Sequence, residues 1–401
     1  MQYRVVSGDS HMDMSWLPGD MFIEGAPSNL RDLMPHVEDA PTKETKYGVY
    51  SKIWVCEGKE LGVFGSMGMG FSPPQAGMSF RNDRMQEAGY YEGDPHPSNP
   101  FLRIKDQDMD GIQAEVLYGL TRSGLTIQNL DVQIATFRIY NQWVADFCNT
   151  YPGRFYALAC IPLHDPVIAA KELREAAGIG PLRGCELIVE GNTHPIYSRD
   201  GYWDPLWEAV ADTQMPVSFH LGSGRIPVVA PPEGSFSSLP YGQDLSQNQL
   251  AQQGTTFSIG MIGGAQWLAS IIFGGACERF PNFRFVLGEF GGAWVPFILG
   301  RMDHIFTERL LNKKLDPPLK LKPSEYWFLN GATTFQEEPV IAKMTHLIGE
   351  NNLIWGSDYP HPDGVWPDSQ EVIQNTLGEL EPRILKKLIC DNAVALYRMG
   401  D

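Results

Sequence analysis

The 401-residue sequence contains no pair of cysteines in a CxxC spacing; its six cysteines, Cys56, Cys148, Cys160, Cys185, Cys277 and Cys390, are scattered. Buried free thiols in a reducing cytosol are the simplest reading of that scatter. Basic residues are few, 31 against 48 acidic ones, for a net charge of −17. A chain without a basic footprint is not built to grip phosphate backbones or anionic membranes. No run of about 18 apolar residues is present, as a membrane-crossing helix would need. No apolar segment follows a basic stretch near residue 1, and a cytoplasmic location is the expectation. No G-x-G-x-x-G turn follows the first strand-like segment, which disfavours a dinucleotide fold.

What is present describes an ordinary globular protein, with 43% hydrophobic and 20% charged residues. Strand-like segments near 4–8, 112–118, 155–161, 185–190, 216–221, 283–289, 326–331 and 352–357 alternate with helix-like ones. Eight alternations predict an α/β fold, a distorted (β/α)8 TIM barrel, with a doubly wound sheet as runner-up. One domain over 1–401 is expected, with insertions at about 35–100 and 222–256 in which no strong periodicity is visible. Methionine, glycine and aromatics in the first insertion, including Phe64, Phe71, Tyr90 and Tyr91, suit an adaptable apolar wall over a pocket or a subunit contact.

Chemistry on such a barrel gathers at the C-terminal ends of the strands. The stretch Leu353-Ile-Trp-Gly-Ser-Asp-Tyr-Pro-His-Pro362 is a short apolar strand ending in Asp358, followed by a loop stiffened by two prolines. Near the start, Asp9 and His11 lie two residues apart, so an extended strand projects both to one side, where they can share an ion. Glu190, His220 and Glu289 end the fourth, fifth and sixth strand-like segments. Six titratable groups on apolar strands are costly to bury unless paired or bound to metal, and a divalent metal site follows. Imidazole with carboxylate suits zinc first, then manganese or iron.

The motifs Gly8-Asp-Ser-His11, Pro216-Val-Ser-Phe-His220, Phe280 to Trp294 with Glu289-Phe-Gly-Gly, and Gly356-Ser-Asp-Tyr-Pro360 resemble the amidohydrolase-related family of the amidohydrolase superfamily. That family includes aminocarboxymuconate-semialdehyde decarboxylase and aromatic-acid decarboxylases. The resemblance implies one divalent ion held by Asp9, His11, His220 and Asp358. Asp358, as ligand and acceptor of the water's proton, and Glu289 or His361, as donor to the leaving group, are the catalytic candidates, with Glu190 and Trp294 toward substrate. The chain departs from the family at two positions, carrying Glu289 where many members have histidine and His361 where several have phenylalanine. The expected activity is a metal-dependent hydrolysis of a small ring-containing substrate through activated water. Alternatives are non-oxidative decarboxylation of an aromatic or unsaturated acid, and a non-catalytic binding barrel. A homo-oligomer acting on a small molecule, with no nucleic-acid or membrane partner, completes the expectation.

Overall fold

A computed structural model describes residues 3–45, 48–65, 81, 95–188, 194–221, 247–308, 314–361 and 364–400. Its centre is a sheet of eight parallel strands in the order β1 (Val6–His11), β5 (Ala114–Tyr118), β6 (Phe155–Cys160), β7 (Leu182–Leu187), β8 (Val217–His220), β9 (Phe285–Gly288), β10 (Gly331–Phe335) and β11 (Leu353–Trp355). Each strand except β7 is buried throughout, as parallel strands covered by helices must be. The helices between them start where the sequence supplies caps. Asn99, Asn129 and Asp165 each accept two backbone N–H bonds at the starts of helices Pro100–Asp110, Leu130–Thr150 and Pro166–Ala176. Gly111, at φ 74, ends the first of these in the left-handed conformation that favours glycine.

Neighbouring strands are joined by parallel ladders from β1 through β11, with register shifts between Ser7 and Ser10 in β1–β5 and between Ala157 and Leu158 in β6–β7. The seam that closes the barrel, between β11 and β1, is different. It consists of one bridge, Ser10 to Tyr359, the bonds His11 N to Tyr359 O (2.7 Å) and Asp358 N to Asp9 O (2.9 Å), and a cluster of serine hydroxyls. Ser7 Oγ lies 2.9 Å from Ser10 Oγ and 3.1 Å from Ser357 Oγ, and accepts from Ser357 N at 2.9 Å.

Three sequence expectations are corrected here. The first insertion is not featureless: β2 (His36–Thr45), β3 (Gly48–Cys56) and β4 (Lys59–Val63) form an antiparallel sheet. Buried Trp54 of that sheet meets Phe22 and Phe64 edge to face. In the second, residues 247–260 are helical although polar on most sides; 222–246 lie outside the described residues. Residues 326–330 belong to helix Pro323–Asn330, and the seventh barrel strand begins at Gly331. A four-residue apolar run, Tyr326 to Leu329, is short enough to fit either element. The cysteines are all free and buried, as expected. Among the described residues no helix is long and apolar enough to cross a membrane.

Candidate metal centre

Alternation along β1 turns Asp9 and His11 to one side, and the strand ends bring four partners to them. His11 Nε2 lies 3.5 Å from Asp9 Oδ1 and 3.0 Å from Asp358 Oδ1. His220 Nε2, from the end of β8, lies 3.4 Å from Asp9 Oδ1 and 3.6 Å from Glu289 Oε2. His361 stacks on His11 with ring centroids 3.8 Å apart. Asp9 and Asp358 are fully buried, and His11, His220, Glu289 and His361 nearly so. Glu289 (φ 59) and Asp358 (φ 56) both adopt left-handed backbone, which strains a residue with a β-carbon.

Electrostatics follow from this crowding. Burial works against the charge on Asp9, yet His220 and His11 hold its carboxyl well below the usual range. Burial also opposes a charged His220, but the adjoining Asp9 outweighs it and raises the imidazole to about 10. Asp358 is lowered in the same way by His361 and His11 against its burial. His361 is raised well above its ordinary value, the carboxylates of Asp358 and Asp13 outweighing desolvation.

The residues fit a divalent cation. Ligand atoms of Asp9, His11 and His220 lie within 4.8 Å of one another, as do those of His11, Asp358 and His361. His11 Nε2 is buried without a hydrogen bond, although Asp358 Oδ1 is only 3.0 Å away; Asp358 Oδ2 is buried without one too. Buried polar atoms left in this state call for a partner. Both atoms are of ligand type, and an ion between these side chains would satisfy them. The two groups share His11 and together contain the four ligands expected from the sequence, Asp9, His11, His220 and Asp358, with His361 as a further candidate.

Backbone at the site is fixed from behind. Arg103 of helix Pro100–Asp110 makes a two-pronged buried ion pair with Glu115 (2.6 and 2.9 Å) and donates from Nη1 to His11 O at 2.8 Å. One helical turn on, Asp106 accepts from the Tyr359 hydroxyl and faces His96 Nδ1 at 3.0 Å. One helix thus grips His11 at the end of β1 and Tyr359 beside Asp358 after β11. Thr334 on β10 donates to Asp9 Oδ2.

Two expected substrate residues fare differently. Glu190 lies outside the described residues, as do Phe71, Tyr90 and Tyr91 of the first insertion. Trp294 is half-buried; its indole N–H donates to Phe290 O at 2.7 Å and its ring lies against Gly264. Two acids were missed. Glu186 on β7 is buried, with Oε2 unpartnered, and burial raises its carboxyl against the pull of His220. The sequence reading ran this strand on to residue 190, whereas it stops at Leu187. Asp13 faces His361 Nε2 at 3.0 Å. Continuing the alternation of Asp9 and His11 by one step would have found it.

Comparison with known proteins fits this geometry. Residues 90–399 match the family described as amidohydrolase. A gamma-resorcylate decarboxylase from Polaromonas sp. is 24% identical over 266 residues, covering 64% of this chain and 76% of that one. A 2-amino-3-carboxymuconate-6-semialdehyde decarboxylase from Dictyostelium discoideum is 23% identical over 282 residues, covering 69% and 70%. The crystal structure of 5-carboxyvanillate decarboxylase from Novosphingobium aromaticivorans, with manganese and 4-hydroxy-3-methoxy-5-nitrobenzoic acid, superposes with a TM-score of 0.58 at 20% identity, covering 80% and 89%.

Proposed function

Since the chain belongs to the amidohydrolase family over residues 90–399, we propose that it is a metal-dependent, non-oxidative decarboxylase of an aromatic or unsaturated carboxylic acid. This places the decarboxylase alternative ahead of the hydrolase expectation. The observation that carries it is a buried carboxylate, Asp358, that belongs to the ligand cluster and also touches a proton carrier, His361 Nδ1, at 3.1 Å. Decarboxylation needs that combination, because the acid must be held where a proton can reach the ring carbon as CO2 departs. The curated relatives are decarboxylases by name.

A divalent ion held by Asp9, His11, His220 and Asp358, manganese as the first candidate, would supply Lewis acidity that anchors the substrate carboxylate and an adjacent hydroxyl. The protein's own part is proton transfer. The proton between His361 Nδ1 and Asp358 Oδ1 passes through that oxygen to the ring carbon that bears the carboxylate, leaving His361 neutral and Asp358 ionised. The C–C bond then breaks, its electron pair returns to the ring, and CO2 leaves. Burial of the cluster keeps bulk water from that carbon. Glu289, 3.6 Å from His220, favours a second reading. An additional acid beside the ion suits hydrolysis, in which Glu289 protonates a leaving group.

The test is metal analysis followed by manganese loading and a substrate screen. Hydroxybenzoates should release CO2, esters, amides and lactones should yield no acid, and Asp358→Asn should abolish turnover while the fold persists. Hydrolysis without CO2 release would establish the second reading instead. A fully active Asp358→Asn would remove the assigned acid.

A further inference from the structure

We propose that Asp13 is a positioning residue that acts on Asp358 through His361. The inference rests on the reading of Asp358 as an ion ligand and adds to it a residue two positions beyond the His11 ligand. Asp13 directly precedes the short 3-10 turn Met14–Trp16, where an aspartate ordinarily caps the turn. It makes no capping bond there. Its carboxylate is turned inward instead, with Oδ2 at 3.0 Å from His361 Nε2.

The other ring nitrogen of His361, Nδ1, faces Asp358 Oδ1 at 3.1 Å. Both edges of the imidazole are thus fixed by carboxylates, and one face is covered by the His11 ring at 3.8 Å and an interplanar angle of 25°. Side chains of Asp13, His361 and Asp358 are 9%, 3% and 0% exposed, so water cannot readily replace any of these contacts. The order Asp13–His361–Asp358 determines which oxygen of Asp358 is engaged. Oδ1 is held by His361, and Oδ2, which has no hydrogen-bond partner, is left for the ion or the substrate. Without Asp13 the imidazole can turn about its Cβ–Cγ bond, and Asp358 loses its fixed orientation. Partners of this kind, hydrogen-bonded behind a ligand, typically change metal affinity by about 10–100-fold when removed.

The experiment measures Mn2+ affinity of purified protein by competition with a fluorescent chelator, for Asp13→Ala, Asp13→Asn, His361→Ala and the Asp13→Ala/His361→Ala double variant. Asp13→Ala and His361→Ala should each weaken binding about 10–100-fold. The double variant should be little weaker than His361→Ala alone, because the only other ligand group near Asp13 among the described residues, His11 Nδ1, lies 4.0 Å from its Oδ1, beyond hydrogen-bond reach. Asp13→Asn, which keeps an acceptor oxygen, should recover most of the loss. Wild-type affinity in Asp13→Ala would overturn the proposal, as would losses that multiply in the double variant or an Asn variant as weak as the Ala one. A second measurement needs no variant of Asp13 to fold. In 15N-histidine spectra of metal-free wild-type protein, with His361 identified by its absence in His361→Ala, Nε2 should be a hydrogen-bonded N–H. An unprotonated Nε2 would overturn the proposal. A wild-type protein that binds no Mn2+ would remove the ion-ligand reading of Asp358, and the spectra alone would then decide whether Asp13 holds His361.

Discussion

Gly356 stands so close to Asp9 that a β-carbon on residue 356 would meet Asp9 Cβ at 2.6 Å and Asp9 N at 3.1 Å. The residue after β11 can therefore be only glycine if the first and last barrel strands are to keep their spacing. Asp9 and Asp358, two of the four expected ligands, flank this contact.

Gly356→Ala should consequently do more harm than an added methyl group usually does. Overpacking of this kind costs about 1–3 kcal/mol, and part of the obstruction here is backbone. Urea denaturation should show a loss in that range, and Mn2+ affinity should fall at least about tenfold with the displaced Asp9. A variant with wild-type stability and affinity would show that the seam can widen without disturbing the ligands.

Glu289 is held at φ 59, where a β-carbon is penalised. Comparing Glu289→Ala with Glu289→Gly isolates this cost, because neither replacement offers His220 a carboxylate. The glycine variant should be the more stable by about 1 kcal/mol, as expected for a left-handed position. Denaturation curves that coincide would mean that the backbone relaxes once the carboxylate is gone.

Asp110, at the end of helix Pro100–Asp110, accepts from Ser369 N at 2.8 Å and from the Ser369 hydroxyl. Burial nevertheless raises its carboxyl to about 7. An acid whose pKa is higher folded than unfolded contributes stability below its unfolded value, near 3.9, and loses it as pH rises through the folded value. The contribution, on the order of 2–4 kcal/mol, should disappear between about pH 4 and 7. Asp110→Asn should remove this slope, so the stability difference between pH 5 and pH 8 should shrink relative to wild type. An unchanged difference in guanidinium denaturation would place the slope on other groups.

Much of this architecture could be read from residue order. The β/α alternation, and the acids and imidazoles that break apolar strands at 9, 11, 220, 289 and 358, need only periodicity and the cost of burying charge. Failures arose where the local signal was ambiguous. Tyr326–Leu329 is apolar enough for a strand, but Pro323 at the first turn and the Glu325 side chain bonded to Lys322 N make it a helix. Glu186 and Glu190 both interrupt the same apolar run, and only the strand's extent, which includes Glu186 and ends at Leu187, singles out Glu186. Arg103 and Asp106 gave no sign of their role, because helical spacing cannot show which strand ends a helix will grip.

The serine-laced seam also places assembly of the site in time. Ser7 and Ser357, whose hydroxyls meet across it, are 350 residues apart in the chain. At synthesis rates of about 5–20 residues per second, the first strand emerges roughly 20–70 s before its neighbour at the seam exists. During that interval Asp9 and His11 have neither His361 nor Asp358 beside them, so a nascent chain carries only fragments of the ligand set. An ion held by this set would therefore be captured only after β11 has formed, and the last strand to arrive would complete its surroundings.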